Sequence, residues 1–546
     1  MSSALPVAAG SIDALVAASA RAHPARAALV LPRPLMGERT TSFAALDRRV
    51  DAVAAGLQAA GLLPDQRAAL LVPPTEDFFV LVFALLRLGA VPVLVDPGIG
   101  RRHLRTCLAE AEPRAFLGVA AAHLARRVLR WCPGAELAVT VGRASGPGPR
   151  LAGIEAAGRA LQPWQPPARP PGATAAVVFT SGSTGVPKGV EQTQENLLAQ
   201  VAAVASLYDL GPDDVSLATF PVFALFGPPL GMTTVVPRMD PTKPAQVRPA
   251  RVLTAARRHR ATVLFGSPAL LDTVTRGALS SSAADQEAGP AMPTVRRVIS
   301  AGAPVSRRIQ RATLTLLPAG AQVFSPYGAT EALPVTSIGS DELLALPADG
   351  ICIGRPVPGV DVALMAITDD PVAELTPDLL VAAGETGEVV VRGDVVTTRY
   401  LGRPDATAAA KLRWGGQVAH RMGDLASLDA DGRLWFAGRK AHRVETADGP
   451  LYSVPCEEVF NAHPQVRRTA LVGLGSRGRE VPVLCVQLEP GVAGSPALTA
   501  ELLALGAVDD RTRAISRVRY HPGFPVDIRH NAKIDRPALA AWAAGR

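Results

Sequence analysis

The stretch Val177–Thr193 reads "VVFTSGSTGVPKGVEQT". An apolar run ends at Phe179, six Gly, Ser or Thr residues follow from Thr180 to Gly185, and a lysine stands at position 188. A strand that empties into a turn of small hydroxyl residues predicts an anion cradle. Gly182 and Gly185 let backbone N–H groups converge, the hydroxyls of Thr180, Ser181, Ser183 and Thr184 add donors, and Lys188 adds charge. The spacing is not that of a Walker loop, because Pro187 precedes the lysine and Gly189 follows it. A flexible surface loop is the plainer alternative, but the apolar strand "AAVVF" directly before the turn argues against it.

Outward from this loop, helix and short apolar strand alternate. "DFFVLVFALLRLG" precedes "VPVLVDP", and "HLRTCLAEAEP" precedes "AFLGV", a pattern that predicts an α/β architecture with largely parallel sheets. Further upstream, Ser11 and Ser42 stand where N-caps of two amphipathic helices belong, with Gly61 as the stop of the second. Residues 144–173 are rich in Pro and Gly and read as a surface connection, and Leu279–Pro293 reads as a mobile loop. Beyond about residue 385 the texture changes to short strands and turns, with Asp431-Gly432 as a hairpin turn. A smaller C-terminal domain starting near Gly438 follows, which divides the chain into 1–437 and 438–546.

At 546 residues the chain is long enough for two or more domains, and 48% apolar content supports a large core. The net charge of +8 comes mostly from scattered arginines, and aromatic content is 4%, which excludes the stacking, basic track of a nucleic-acid reader. Short clusters such as Arg101-Arg102 read as solvated helix faces and leave a peripheral membrane contact open. Cys107, Cys132, Cys352, Cys456 and Cys485 are dispersed, with no zinc spacing, and fit reduced thiols in a cytoplasmic protein. The N-terminal stretch has no basic leader region and carries Asp13 in its apolar part, so no signal peptide is expected. Phe78–Val95 is the most membrane-like segment, but Arg87, Gly89 and Pro92 interrupt it, and a helix leading into a buried strand explains it better than a bilayer span.

"FTSGSTGVPKGV" resembles the phosphate loop of the adenylate-forming superfamily, and the superfamily's other motifs occur in order along nearly the whole chain. "SAGAP", containing Ala301, Gly302 and Ala303, is similar to the adenine-binding segment. "YGATE" resembles the motif whose aromatic residue, Tyr327 with Gly328 behind it, stacks on adenine. In that motif Thr330 approaches the phosphates and Glu331 holds Mg²⁺. "RMGD" places Asp424 on the ribose hydroxyls, and "AGRK" resembles the hinge from which Arg439 also reaches the ribose. "RHNAKIDRPAL" resembles the terminal segment that carries the catalytic lysine, here Lys533. The resemblance implies a large adenylate-forming domain of two α/β subdomains and a distorted β-barrel, closed by a small mobile α+β domain. ATP would be the substrate and Mg²⁺ the metal.

The acceptor half departs from the coenzyme A ligase pattern. Glu445 stands about where a lysine would lie, and Ala532 replaces the glycine before the terminal lysine. Those stretches, including "TFPVFALFGPPLGMTTVVPRMDPTKPAQ" and "GRKAHRVETADGPLY", resemble one branch, the β-lactone synthetases of long-chain olefin biosynthesis. The branch implies a long-chain 2-alkyl-3-hydroxyalkanoic acid as substrate and a cis-β-lactone, AMP and diphosphate as products. A fatty-acyl-CoA or fatty-acyl-AMP ligase is the alternative. Phe223, Ala224, Phe226, Gly266 and Ser267 are expected in the alkyl pocket. A thiolase-like condensing enzyme, a reductase and a decarboxylase are the implied pathway partners.

Overall fold

The computed structural model describes residues 10–33, 37–180, 187–279, 290–347, 350–526 and 534–545. Two sheets organise the larger part of the chain. The first has six strands in the spatial order Leu137–Val141, Ala115–Val119, Arg67–Leu71, Val91–Leu94, Thr174–Thr180 and Lys188–Thr193. Only the last pair is antiparallel. The second sheet has fourteen strands. Its parallel centre runs from Ala27–Pro32 through the strands at 233–235, 215–218, 263–265 and 297–299 to Gln322–Ala329. From Ala332–Gly339 onward it continues antiparallel through strands reaching Leu434–Arg439. The expected β-barrel is not found as a closed unit: among the described residues the antiparallel strands extend the large sheet and do not close on themselves.

A layer of helices fills the space between the sheets. Glu76–Leu88 shows why the membrane-like stretch is a core helix. Twelve of its thirteen residues are buried, so it is apolar on every side because it has neighbours on every side. It ends at Gly89, whose φ of +74° provides the left-handed cap, and the strand Val91–Leu94 follows. Arg87 is neutralised within that layer, with Asp51 at 2.6 Å, Asp47 at 2.8 Å and Asp13 at 3.5 Å. Two of those partners lie on Phe43–Ala59, the helix capped by Ser42, and the third on Ile12–Ala22, capped by Ser11. Among the described residues, no helix is long and apolar enough to cross a membrane.

The Pro- and Gly-rich stretch 144–173 contains a helix, Leu151–Ala160, which the sequence reading missed. It packs on Phe43–Ala59 through glycines on both sides. A Cβ on Gly158 would run into the Ala52 carbonyl, and one on Gly56 into the Ile154 carbonyl, so backbone meets backbone. Gly158→Ala is therefore expected to destabilise the protein by about 1–3 kcal/mol, read as a lower denaturant midpoint. An unchanged midpoint would show that the helices can part at no cost.

The expected hairpin turn is present: Gly432 has φ +75°, and Asp429 accepts from the Asp431 and Arg433 backbone N–H groups. After His442 the chain builds a small three-stranded sheet, Val466–Leu474, Val481–Leu488 and Arg517–Tyr520. Helices Ser453–Asn461, Pro496–Ala507 and Arg536–Ala543 pack around it, with cores centred on Phe460 and Leu539. Residues 280–289 of the expected mobile loop lie outside the described residues.

Candidate active site

A cavity of about 2610 Å³ lies where the carboxyl ends of both sheets' parallel strands meet. Crevices at those ends are where open α/β sheets bind ligands. Thr180 closes one strand and Lys188 opens the next, directly across the ladder, so the sheet register holds the two ends of the phosphate-type loop together. Ser181, Gly182, Ser183, Thr184 and Gly185 lie outside the described residues, as does Lys533. Lys188 reaches inward, its Nζ 4.7 Å from the centre of the Tyr400 ring.

Ala301, Gly302 and Ala303 form the turn after strand Arg297–Ile299, and Gly302 has φ +94°. A β-carbon there would strain the backbone. Facing it, Tyr327 and Gly328 end the strand Gln322–Ala329. A Cβ on Gly328 would press on the Ala332 carbonyl at 2.7 Å, so the strand–turn–strand passage through Thr330 and Glu331 is tight. The Tyr327 hydroxyl donates to Asp424 Oδ2 at 2.7 Å, and Arg439 Nε lies 3.0 Å from Asp424 Oδ1. Asp424 and Arg439 are cross-strand partners on neighbouring antiparallel strands, which accounts for the pair. Burial, reinforced by the Asp424 charge, pushes the Tyr327 phenol well above its usual range, so it stays a donor. Asp424 in turn raises the Arg439 guanidinium.

Sequence reasoning missed the groups that hold these residues in place. Tyr400 donates to Glu331 Oε1 at 2.8 Å, the Thr397 N–H donates to the Glu331 carbonyl at 2.9 Å, and Gln192 donates to the Thr330 carbonyl at 2.6 Å. Lys411 donates to Thr397 from the interior, and burial lowers its ammonium to about 7. Arg421 of the "RMGD" segment is buried. It pairs with buried Glu388 at 2.7 Å and donates to the Thr368 and Asp370 carbonyls, clamping the strand that carries Asp424. None of these partners is adjacent in sequence, so no local pattern announces them.

The expected alkyl pocket divides. Phe223, Phe226 and Ser267 line the cavity, and Phe223 stacks on Phe265 with ring centres 3.7 Å apart. Ala224 is only 1% exposed and packs into the core beneath them. Gly266 is tight against Leu270, 2.9 Å from where a Cβ would sit. The same apolar wall continues over Phe78, Val82, Phe83 and Leu86 of the central helix and Leu197 and Val201 of helix Gln194–Leu207. One end of the cavity is therefore polar and charged, and the other is lined with hydrocarbon.

Magnesium chemistry would have to use few protein ligands here. Among the described residues no group of three or more His, Cys, Asp or Glu could hold a metal. Glu331 is a single carboxylate, 9% exposed and oriented by Tyr400. That suits Mg²⁺, which takes one or two carboxylates and completes its shell with phosphate oxygens and water.

Comparison with known proteins identifies the family. The family model of AMP-binding enzymes matches residues 16–401. The chain is 48% identical over 520 residues to the olefin beta-lactone synthetase of Xanthomonas campestris pv. campestris, covering 92% of this chain and 91% of that protein. It is also 48% identical over 516 residues to the Stenotrophomonas maltophilia protein of the same name, with the same coverage. Among solved structures, the amide bond synthetase of Marinactinospora thermotolerans shares the fold at a TM-score of 0.76 and 23% identity, covering 97% of this chain and 99% of that one. A Mycobacterium tuberculosis fatty acyl CoA synthetase does so at 0.72 and 20%, covering 98% and 99%. The chain belongs to the AMP-binding enzyme family and is an ATP-dependent, AMP-forming ligase.

Proposed function

We propose that the protein adenylates a long-chain 2-alkyl-3-hydroxyalkanoic acid and closes it to a cis-β-lactone. A carboxylate oxygen attacks the α-phosphorus of ATP and expels diphosphate. The substrate's own 3-hydroxyl oxygen then attacks the acyl carbon and breaks its bond to AMP, and the hydroxyl proton leaves to the AMP phosphate or to water. Holding that hydroxyl beside the acyl-adenylate replaces a second substrate. The observation that carries the reading is the 48% identity, over nearly the full length, to proteins named olefin beta-lactone synthetase. A hydrocarbon-lined cavity arm running into the Asp424–Tyr327 cluster supports it.

In this reading Ala301–Ala303 and the Tyr327 ring, with Gly328 behind it, take the adenine. Asp424 and Arg439 take the ribose. Thr180 to Gly185, Lys188 and Thr330 take the phosphates, and Phe223, Phe226 and Ser267 border the alkyl chains. Mg²⁺ on Glu331, when bound, offsets charge that builds on the phosphates. Residues 438–546 act as the mobile lid that brings Lys533 to the α-phosphate, pivoting at Gly438-Arg439. Gly438 has φ +121°, a conformation that suits glycine at a pivot.

The stretch where a thiol acceptor would be received is occupied by ion pairs. Glu445 is held by Arg443 at 2.7 Å and Arg477 at 2.8 Å, and Asp369 is bound by the same two arginines. A carboxylate paired to two arginines thus stands where a lysine would meet coenzyme A phosphates, which favours the lactone over the acyl-CoA alternative.

Incubation with ATP, Mg²⁺ and the hydroxy acid, with and without coenzyme A, tests the proposal. Equal AMP release in both arms and a β-lactone by NMR are expected. Turnover only with coenzyme A, giving a thioester, would overturn it. Tyr400→Phe is expected to raise the Mg²⁺ concentration for half-maximal diphosphate release about tenfold, because Glu331 loses the donor that orients it. An unchanged Mg²⁺ titration would remove Tyr400 from that role.

A further inference from the structure

Two helices on one face of the six-stranded sheet carry a surface that the adenylation chemistry does not use. Arg101–Ala111 turns Leu104, Cys107, Leu108 and Ala111 inward and shows Arg101, Arg102 and Arg105 to solvent. Ala120–Leu129 buries His123, whose Nε2 lies 3.0 Å from the Val139 carbonyl, and exposes Leu124, Arg127 and Val128. Both helices pack on the same cluster around Phe116, so their outer sides face the same side of the sheet. Leu124 and Val128 are 64% and 69% exposed, and among the described large apolar residues only Val508 is more so. Spaced i and i+4, they form a short apolar ridge with Arg127 beside it.

The charge of this face is one-sided. No Asp or Glu occurs from 101 to 109 or from 113 to 135. The acids that flank or interrupt these stretches have partners of their own: Asp96 accepts from the Gly98 N–H at 2.8 Å, Glu110 pairs with Arg403 at 2.6 Å, Glu136 with Arg114, and Glu112 lies 3.9 Å from Arg67. The face is also continuous with the cavity. Arg102, His103 and Thr106 of the first helix and Ala122 of the second line its rim.

We propose that this face docks on an anionic lipid surface, with Leu124 and Val128 entering the headgroup layer and the arginines meeting lipid phosphate. A bilayer fits better than a protein partner. Two apolar tips among arginines are too small a patch for a stable protein interface, which needs an apolar centre of many residues. They are the composition that holds a helix at a charged bilayer surface. Docking sets the cavity rim against the phase in which long alkyl acids reside. That delivery role rests on the proposed substrate class, whereas the surface itself does not.

The test is co-sedimentation of the full-length protein with phosphatidylcholine vesicles, with and without about 30% phosphatidylglycerol, at low and high salt. Binding to the anionic vesicles only, weakened by salt, is expected. With each arginine contributing about fivefold, R101Q/R105Q/R127Q is expected to lose on the order of a hundredfold in partitioning. L124S/V128S is expected to lose about tenfold or more. AMP release from acid dispersed in detergent stays at the wild-type level in both variants, and it reports the chemistry independently of docking. Wild-type protein that leaves anionic vesicles bare, or variants that bind them as well as wild type, would overturn the proposal. So would a larger species in sedimentation velocity that both variants abolish while vesicles stay bare, since the face would then join protein to protein.

Discussion

Lys533→Ala is expected to slow adenylate formation by a factor of about 10²–10³ while ATP affinity changes little. The reason lies in when charge appears. In the proposed site the triphosphate would already be paired with Mg²⁺ and the loop donors before reaction, so a lysine would add little to binding. As the carboxylate oxygen closes on the α-phosphorus, negative charge grows on the bridging and non-bridging oxygens. A group that meets that charge lowers the barrier without tightening the ground state. Diphosphate–ATP exchange measures the rate, and nucleotide titration by calorimetry measures the affinity. A variant with full exchange activity would remove Lys533 from the site. One that loses ATP binding in proportion to rate would make it a binding residue only.

Asp424→Ala should cost both nucleotide binding and stability. Its two oxygens hold Tyr327 and Arg439, so alanine leaves a buried phenol without its acceptor and a guanidinium without its counterion. Breaking a fully buried pair costs about 3–5 kcal/mol. Arg439 keeps 34% of its side-chain exposure, towards the cavity, so solvent screens it and about 2 kcal/mol is the better expectation. If Asp424 holds the ribose as proposed, the KM for ATP should rise at least about tenfold, through loss of those contacts and the loosened Tyr327 ring. Asp424→Asn separates the two effects: its amide still accepts from Tyr327, so stability recovers more than the KM does. If alanine and asparagine were both as stable and as tight for ATP as wild type, Asp424 would have neither role.

Features set by local physical chemistry could be read from the sequence. The strand before Thr180, the serine caps at 11 and 42, the glycine that interrupts the apolar run after Leu88 and the turn at Asp431-Gly432 each depend on a few consecutive residues. Arg87 was legible as an obstacle to a membrane span, but its three aspartate partners lie 36 to 74 residues away and could not be. The same holds for Tyr400, which meets Glu331 across 69 residues of chain. In the alkyl pocket an apolar run shows composition but not direction. The single turn Pro221–Ala224 sends Phe223 to the cavity and Ala224 to the core, and four residues are too few for periodicity to tell them apart. Helix Leu151–Ala160 was hidden because its small residues, which permit the close helix contact, resemble those of a loop.

The most direct test of carboxylate adenylation follows the oxygens. A 2-alkyl-3-hydroxy acid carrying oxygen-18 in both carboxylate positions is turned over with ATP and Mg²⁺, and AMP and lactone are weighed by mass spectrometry. Activation at the carboxylate predicts one heavy oxygen in AMP and one in the lactone carbonyl. Unlabelled AMP with both heavy oxygens in the lactone would mean that the hydroxyl is the group activated, and it would contradict the account.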